Sequence, residues 1–363
     1  MIYHLFPGNM EKQVHYMIMY FRDNHSLLAI KPGEQTFVIF GTDEKNKSTY
    51  GCLALSQSHL VFYPSKSIDF HFLKGITAVD SLIIHSVFFR YIWLNLLLWP
   101  KFWKRTAIIN WGAGFAGFKS IKGRINAQIM RVILPKLGAI STLTPGEFES
   151  INKLYGPCDN YVRAFYSFSP CNVTSKIIDS NNDVLHVLVG HSSSPLNGHI
   201  EAFRWLQAHR LHRFTVICPL GYPSHQKAKL HRDKVVEAGR KFLGKKFHPI
   251  LRMLPKEEYK EILDKIDVFV SNSPVQQGLF NIFYLLLKGK KVFIRSDSPT
   301  YSMLQDFGIK VYDTLEIPVQ SFEEFYSHPP EIREHNIKQW YKNFSDESIN
   351  KGWQVLFSRI GAC

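Results

Sequence analysis

The stretch Asp183 to Pro223 constrains this chain more than any other. It opens with the apolar run Val184-Leu185-His186-Val187-Leu188-Val189, which predicts a buried strand of a parallel sheet, covered on both faces. Gly190 ends the run, and His191 and three serines follow. Pro195 stands where a first helical residue would, just after Ser194 as the predicted N-cap. Leu196, Ile200, Phe203 and Leu206 recur at helical spacing and are predicted to form the core face of that helix. A second apolar run, Phe214 to Cys218, supplies the next strand, and it stops at Pro219-Leu220-Gly221-Tyr222-Pro223. Strand, glycine turn, helix, strand is half of a nucleotide-binding α/β unit.

The position of the turn carries the chemistry. A strand's carboxyl end delivers the chain to a crevice where the next helix begins, with unpaired backbone N–H groups and a positive dipole end. Small residues let a phosphate approach those amides, and Gly190, Ser192, Ser193 and Ser194 suit a diphosphate. They match neither GxGxxG nor GxxxxGK[ST], so neither a dinucleotide nor a P-loop reading is supported. An ordinary strand-to-helix turn remains the alternative.

At 363 residues the chain fits two α/β domains better than one core, and 45% apolar residues fill two. Five cysteines (Cys52, Cys158, Cys171, Cys218, Cys363), odd in number and far apart with no C-x-x-C, predict a reducing compartment and neither a zinc site nor a disulfide framework. MIYHLFPGNMEKQ shows no basic segment followed by an apolar one, so no export signal is predicted and a cytoplasmic location is expected. The net charge of +14 is unevenly spread. Between Asp80 and Glu147 no acid occurs, while Arg90, Lys101, Lys104, Arg105, Lys119, Lys122, Arg124, Arg131 and Lys136 do. Such a field attracts nucleic acid, lipid headgroups or a phosphorylated substrate.

In chain order, residues 2–6 predict a first strand ending at Pro7-Gly8-Asn9, followed by a helix with Val14, Met17, Ile18 and Phe21 on one face. Thr36 to Gly41, Leu60 to Tyr63, Ser81 to His85 and Thr106 to Trp111 predict further strands, the last ending in Trp111-Gly112-Ala113-Gly114. With a helix from Asn126 to Leu134 and a strand from Gly138 to Leu143, residues 1–165 read as a Rossmann-like domain. Residues 166–182 have the composition of a linker. Residues 183–340 read as a second α/β domain, with helices near Lys229 to Leu243 and Lys256 to Lys265 and strands at Phe247 to Leu251, Val268 to Val270 and Val292 to Ile294. Ser271-Asn272-Ser273-Pro274 ends the middle strand, and a helix bearing Leu279, Ile282, Phe283 and Leu286 follows. Asn336 to Phe357 is amphipathic, and 341–363 is expected to return as a helix to the first domain.

Phe88 to Trp99 is the most hydrophobic segment, yet Arg90 and Asn95 break it and it is shorter than the roughly 20 residues needed to span a bilayer. Lys101, Phe102, Trp103, Lys104 and Arg105 follow at once, a pattern that fits a segment lying at a membrane interface. Acidic headgroups would add roughly 1 kcal/mol per nearby cation. A helix packed on the sheet is the alternative.

Several motifs in order carry a family likeness: His4 to Asn9, His85 to Phe88, Trp111-Gly112-Ala113, Gly190 with Ser192, Asn197 and His199, Gly221-Tyr222-Pro223, Gln276-Gln277-Gly278, and Gly352-Trp353-Gln354. By these the chain resembles the TDP-N-acetylfucosamine:lipid II N-acetylfucosaminyltransferases, of the 4-alpha-L-fucosyltransferase type. The resemblance implies a GT-B fold, two Rossmann-like domains facing across a cleft. It also implies synthesis of cell-surface polysaccharide, of the enterobacterial common antigen or O-antigen kind, on a polyprenyl diphosphate at the cytoplasmic face of the inner membrane. Two departures stand out: Gly114 and Asn9 occupy places near which the family carries Asp.

Such a transferase must stabilise a departing nucleoside diphosphate, expected to come from a TDP- or UDP-linked sugar, and activate an acceptor hydroxyl. Residues Gly190 to Ser194 and Ser273 to Gly278 would offer two helix starts to the diphosphate. Tyr222, beside Gly221, would stack on the base, while Ser192, Ser193, Asn197, Gln276 and Gln277 would bond sugar or phosphate oxygens; Asn9, Trp111 and Gly112 are assigned to the acceptor. Tyr222 packing within its turn and glutamines capping their own helix are the plainer alternatives. Lacking a paired-aspartate loop, the chain is expected to need neither metal nor cofactor. For the base, His85, His4 and Glu147 are the candidates, chosen for their places at or near strand ends of the first domain. The competing readings are a nucleotide-sugar 2-epimerase of the same architecture, a protein-directed glycosyltransferase, and a basic nucleic-acid-binding protein. The last is disfavoured because the basic window adjoins an apolar helix.

Overall fold

The computed structural model describes residues 1–8, 11–24, 26–28, 33–42, 59–87, 89, 91–110, 121–142, 145–164, 184–209, 211–222 and 226–362, with only the backbone of residues 11–13, 121–122 and 227. The expectations for Asn9, Trp111, Gly112, Gly114, Pro223, Phe88, Arg90 and the linker 166–182 lie outside the described residues. The chain forms two compact units, Met1–Ser167 with Asp346–Cys363, and Phe168–Ser345.

The first unit carries β1 (Ile2–Pro7), β2 (Gln35–Phe40), β3 (His59–Tyr63), β4 (Ser81–His85), β5 (Thr106–Ile109) and β6 (Ala139–Ser141). All pair in parallel, in the order β3-β2-β1-β4-β5-β6. Side chains alternate across the sheet, so one strand feeds two cores. Ile2 and Phe6 of β1, Phe37 and Ile39 of β2 and Ile83 of β4 enter the core that takes Val14, Met17, Ile18 and Phe21 from the helix Glu11–Asn24. Leu5, Val38, Phe40, Leu82 and Ile84 enter the opposite one, under the helices Ile92–Leu98, Ile121–Ile133 and Pro145–Tyr155.

The predicted apolar piece Asn336 to Phe357 is two helices, Pro330–Phe344 and Asp346–Arg359, broken at Ser345 where the chain leaves the second unit. The second of them inserts Ile349, Trp353, Leu356 and Phe357 into the first unit's core. Gly352 is required there by a close approach: a Cβ would collide with the Arg163 carbonyl oxygen. Polar ties fix the docking, since the Tyr20 hydroxyl donates to Asn350 and the Gln354 amide donates to the Leu27 carbonyl at 2.6 Å.

The Phe88 to Trp99 segment is largely a core element. Only Ile92–Leu98 is α-helical, followed by a 3-10 turn Pro100–Arg105. Phe89, Ile92, Trp93, Leu96 and Phe102 are buried under the sheet, as the alternative of a helix packed on the sheet requires. What remains outside is narrower: Leu98 is 66% exposed, and Tyr91, Leu94 and Phe70 are also exposed. The Phe70 and Trp99 rings lie 5.2 Å apart, and the Lys101 ammonium stands 5.1 Å from the Trp99 ring. No helix among the described residues is long and apolar enough to cross a membrane.

The second unit repeats the plan with β7 (Leu185–Val189), β8 (Phe214–Pro219), β9 (Phe247–Ile250), β10 (Val268–Ser271), β11 (Lys291–Ile294) and β12 (Tyr312–Asp313). These too are all parallel, in the order β12-β11-β10-β7-β8-β9. In both sheets the first strand of the unit lies in the middle, beside the fourth. Connections therefore leave in opposite directions from the ends of β1 and β4, and from those of β7 and β10. Such a switch point leaves a crevice beyond the strands' carboxyl ends, where ligands of doubly wound sheets bind.

Candidate functional site

At the second unit's switch point, the backbone amide of Gly190 still follows the sheet, donating to the Val270 carbonyl at 3.0 Å. The chain then turns with Gly190 at φ 67°, in the left-handed region. Ser193 is wholly buried, its amide and hydroxyl both donating to the Tyr222 carbonyl at 2.6 and 3.0 Å. Asn197, also wholly buried, donates its amide to the carbonyl and hydroxyl of Ser192, both at 3.0 Å. The loop is thus tied from inside by its own polar side chains and from outside by the Gly221-Tyr222 turn. Gly221 is needed there because a Cβ would run into the Arg252 backbone.

The local prediction for this loop needs one correction. Ser194 and Pro195 open a short 3-10 turn, Pro195–Asn197, and the α-helix begins only at His199 with Gly198 as N-cap. Leu196 therefore misses the core face and is 48% exposed, while Phe203 and Leu206 are buried as the spacing requires.

The matching loop leaves β10. Asn272 is buried and bridges elements: its amide donates to Glu201 at 2.7 Å and its carbonyl accepts from the Thr314 hydroxyl at 3.0 Å. The Ser273 hydroxyl donates to the Val275 carbonyl at 2.9 Å and accepts from the Gln277 amide at 2.7 Å, so Gln277 braces the loop and does not cap the helix. Gln276 is half-buried in the same loop. Gly278, at φ 71°, is the N-cap of the helix Leu279–Leu287, which has no side-chain cap. The two loops meet there. A Cβ on Gly278 would lie 2.7 Å from Nδ1 of His191, and one on Gly190 would lie 2.6 Å from Nε2 of His199.

Two helix starts without side-chain caps, Gly198 and Gly278, thus flank one switch point. Amides of a first turn lack intrahelical acceptors and hold the positive end of the helix dipole. The arrangement suits a dianionic group such as a diphosphate. Tyr222 adds an aromatic face at the rim, with its ring 60% exposed while its carbonyl holds Ser193. Among the described residues, no group of three or more His, Cys, Asp or Glu side chains is placed to hold a metal ion.

In the first unit, His4 is the third residue of β1 and not at its end, while His85 closes β4. They lie across the β1–β4 boundary, with Nδ1 of His4 3.0 Å from Nε2 of His85, one ring donating to the other. Both are fully buried; Phe37 lies 4.9 Å and Phe21 4.4 Å from the His4 ring, and Phe6 4.1 Å from the His85 ring. This placement corrects the expectation that either is the base. A base must reach the hydroxyl it deprotonates, and these rings are sealed beneath aromatic side chains. Glu147, in the first turn of Pro145–Tyr155, is only partly buried.

Burial holds both histidines neutral by lowering their pKa, that of His4 to about 3. Histidines of the unfolded chain titrate near 6.5 and bind protons that the folded pair refuses. Stability is therefore present above pH 6.5 and lost as pH falls below it, at about 1.4 kcal/mol per pH unit for each such group. Urea midpoints should drop between pH 7.5 and pH 5, and His4→Phe should flatten that slope; a midpoint constant over this range would contradict the assignment.

Sequence reasoning missed Ser86, a buried non-glycine residue at φ 89° directly after β4. Strain of this kind concentrates at functional loops, but no residue type announces it. Nor did it give a role to His191, whose only signal was its nearness to Gly190, while His199 entered only through the family likeness.

Two six-stranded parallel sheets of Rossmann order, with a switch point in the middle of each, are the GT-B fold. The 4-alpha-L-fucosyltransferase family, glycosyl transferase group 56, matches over residues 1–347, and the chain belongs to it. Among solved structures, the chain is similar to a glycosyltransferase from Rickettsia africae, at 13% identity and TM-score 0.69, covering 100% of this chain and 99% of that one. The E. coli trehalose-6-phosphate protein bound with UDP-2-fluoro glucose is similar at 8% identity and TM-score 0.62, covering 99% of each chain. Anabaena HepE in complex with UDP is similar at 10% identity and TM-score 0.58, covering 99% of this chain and 95% of that one.

Proposed function

We propose that the enzyme moves a deoxy- or acetamido-sugar from a TDP- or UDP-linked donor to a polyprenyl-diphosphate-linked glycan in cell-surface polysaccharide synthesis. The observation that carries this reading is the convergence of the Gly190–Gly198 and Ser271–Gly278 loops at the second unit's switch point. The diphosphate lies against the amides that follow Gly198 and Gly278, and Ser192, Ser193, Asn197, Ser273, Gln276 and Gln277 shape or line the place. The exposed Tyr222 ring, carried by the turn at Gly221, takes the base. That two of the similar structures hold UDP or a UDP-sugar analogue supports a nucleotide donor.

The acceptor is assigned to the first unit, to Asn9, Trp111 and Gly112, with Glu147 as the base. The lipid reading is supported by the strip Leu94, Leu98 and Trp99 edged by Lys101, in a window without acids, with the exposed Phe70 beside it. On this reading the enzyme works at the cytoplasmic face of the inner membrane. Exposed apolar side chains beside cations suit anionic lipid better than nucleic acid.

A thermal-shift panel tests the donor site. TDP or UDP at a hundred times its dissociation constant should stabilise the second unit by about 2.7 kcal/mol, and Gly190→Val should abolish the shift. No stabilisation by TDP, UDP or GDP would defeat the reading. Turnover of the sugar nucleotide alone, without lipid acceptor, would favour a 2-epimerase.

A further inference from the structure

We propose that His191 is the diphosphate-binding side chain of the second unit, neutral in the empty site and protonated when a nucleoside diphosphate occupies it. The inference rests on the donor site assigned above and deepens it.

Four observations converge on this residue. The ring of His191 lies over Gly278, the start of the helix Leu279–Leu287, so it stands where that helix presents its unpaired amides. Its Nδ1 is withdrawn from solvent and has no hydrogen-bond partner, although Nε2 lies 3.3 Å from the Ser192 hydroxyl. Asn197, wholly buried, has a carbonyl oxygen that is unpaired while the His191 ring is neutral and bonds to that ring when it is charged. Buried polar atoms are ordinarily satisfied, and this pair is satisfied once Nδ1 of His191 carries a proton, beside the helix start. The fourth observation concerns charge. Two cations of this half, Arg295 and Arg252, are paired with acids: Arg295 lies 3.7 Å from Glu201 and 2.8 Å from Asp297, and Arg252 lies 2.7 Å from Glu258. A protonated His191 adds a positive charge from the loop itself.

The groups bearing on the ring explain why it is neutral when the site is empty. Burial lowers its pKa to about 4, and the Asn197 side chain opposes that by bonding to the charged form. From the helix His199–Gln207 comes His199, and from Gln226–Leu243 comes His231, its ring 6.2 Å from that of His199. Both have lowered pKa values, so both are neutral near pH 7. From the other loop, Gly278 brings the start of the helix Leu279–Leu287 against the ring. A dianion arriving here favours the imidazolium, which takes its proton from water and returns a charge-assisted hydrogen bond. During transfer the sugar–oxygen bond breaks, its electron pair stays on the diphosphate oxygen, and the His191 N–H faces that added charge. The acceptor's hydroxyl proton leaves separately, to a base or to water.

The test is calorimetric titration of the whole protein with TDP and UDP at pH 7.5, in two buffers of different ionisation enthalpy. Wild type should take up a proton on binding, seen as a buffer-dependent heat. His191→Gln should still bind, roughly tenfold more weakly, with that uptake lost. Binding by wild type without proton uptake, or uptake that survives in His191→Gln, overturns the role of His191 and leaves the donor site standing. No binding of either nucleotide by wild type overturns both. The wild-type heats decide even if the variant folds poorly.

Discussion

Gly278→Val should yield a folded protein whose affinity for nucleoside diphosphate, and whose transfer rate, fall by at least a hundredfold. Two effects act at this one position. At φ 71° the backbone lies where a β-branched residue is strained by about 1–2 kcal/mol. The new side chain also begins 2.7 Å from His191 Nδ1, which the ring can accommodate only by moving off the helix start. The strain is a modest share of a typical 5–15 kcal/mol domain stability, so folding survives while the phosphate place is filled. Gly278→Ala should be milder, since it lacks the branch. Titration calorimetry and a transfer assay, with circular dichroism to verify folding, read the outcome. Wild-type nucleotide affinity in Gly278→Val would mean that the phosphate lies elsewhere.

Trp353→Ala should cost about 3–5 kcal/mol, the range for losing a large buried aromatic side chain. Trp353 is wholly buried, with the rings of Phe21 and Phe357 4.8 and 5.9 Å away and that of His85 at 6.1 Å. Its neighbours come from β4, the helix Glu11–Asn24 and its own helix, so no single side chain can close the void. Urea unfolding should show the loss as a lower midpoint. A cost below about 1 kcal/mol would mean that the helix Asp346–Arg359 does not complete this core.

The elements most legible in sequence were those whose local pattern agrees with their final burial. The run Val184 to Val189 had to be covered on both faces, and β7 is that strand. Val14, Met17, Ile18 and Phe21 recur at helical spacing and are all buried. Where the outcome depends on partners far along the chain, local pattern fell short. His4 and His85 look like reactive groups near strand ends until β1 and β4 are seen to be neighbours, which makes them an internal pair. Phe88 to Trp99 looks interfacial by composition, but the sheet claims Ile92, Trp93 and Leu96 and leaves out Leu94 and Leu98. Leu196 matched the helical period and still faces solvent, because Gly198 delays the helix. In the candidate site, glycines and serines announced the loops after β7 and β10 as two helix starts for one diphosphate, whereas the approach of His191 to Gly278 came only from the fold.

The helix Asp346–Arg359 belongs to a hydrophobic core whose other members lie before Ser167. During translation the ribosome therefore releases every strand of the N-terminal sheet long before the wedge that seals it. The nascent N-terminal half must wait, with an aromatic surface uncovered, while the whole of the following unit is made and can fold. Chaperone demand during synthesis should fall on the first half of this enzyme, and shortening the chain by its last helix should harm the half that was synthesised first.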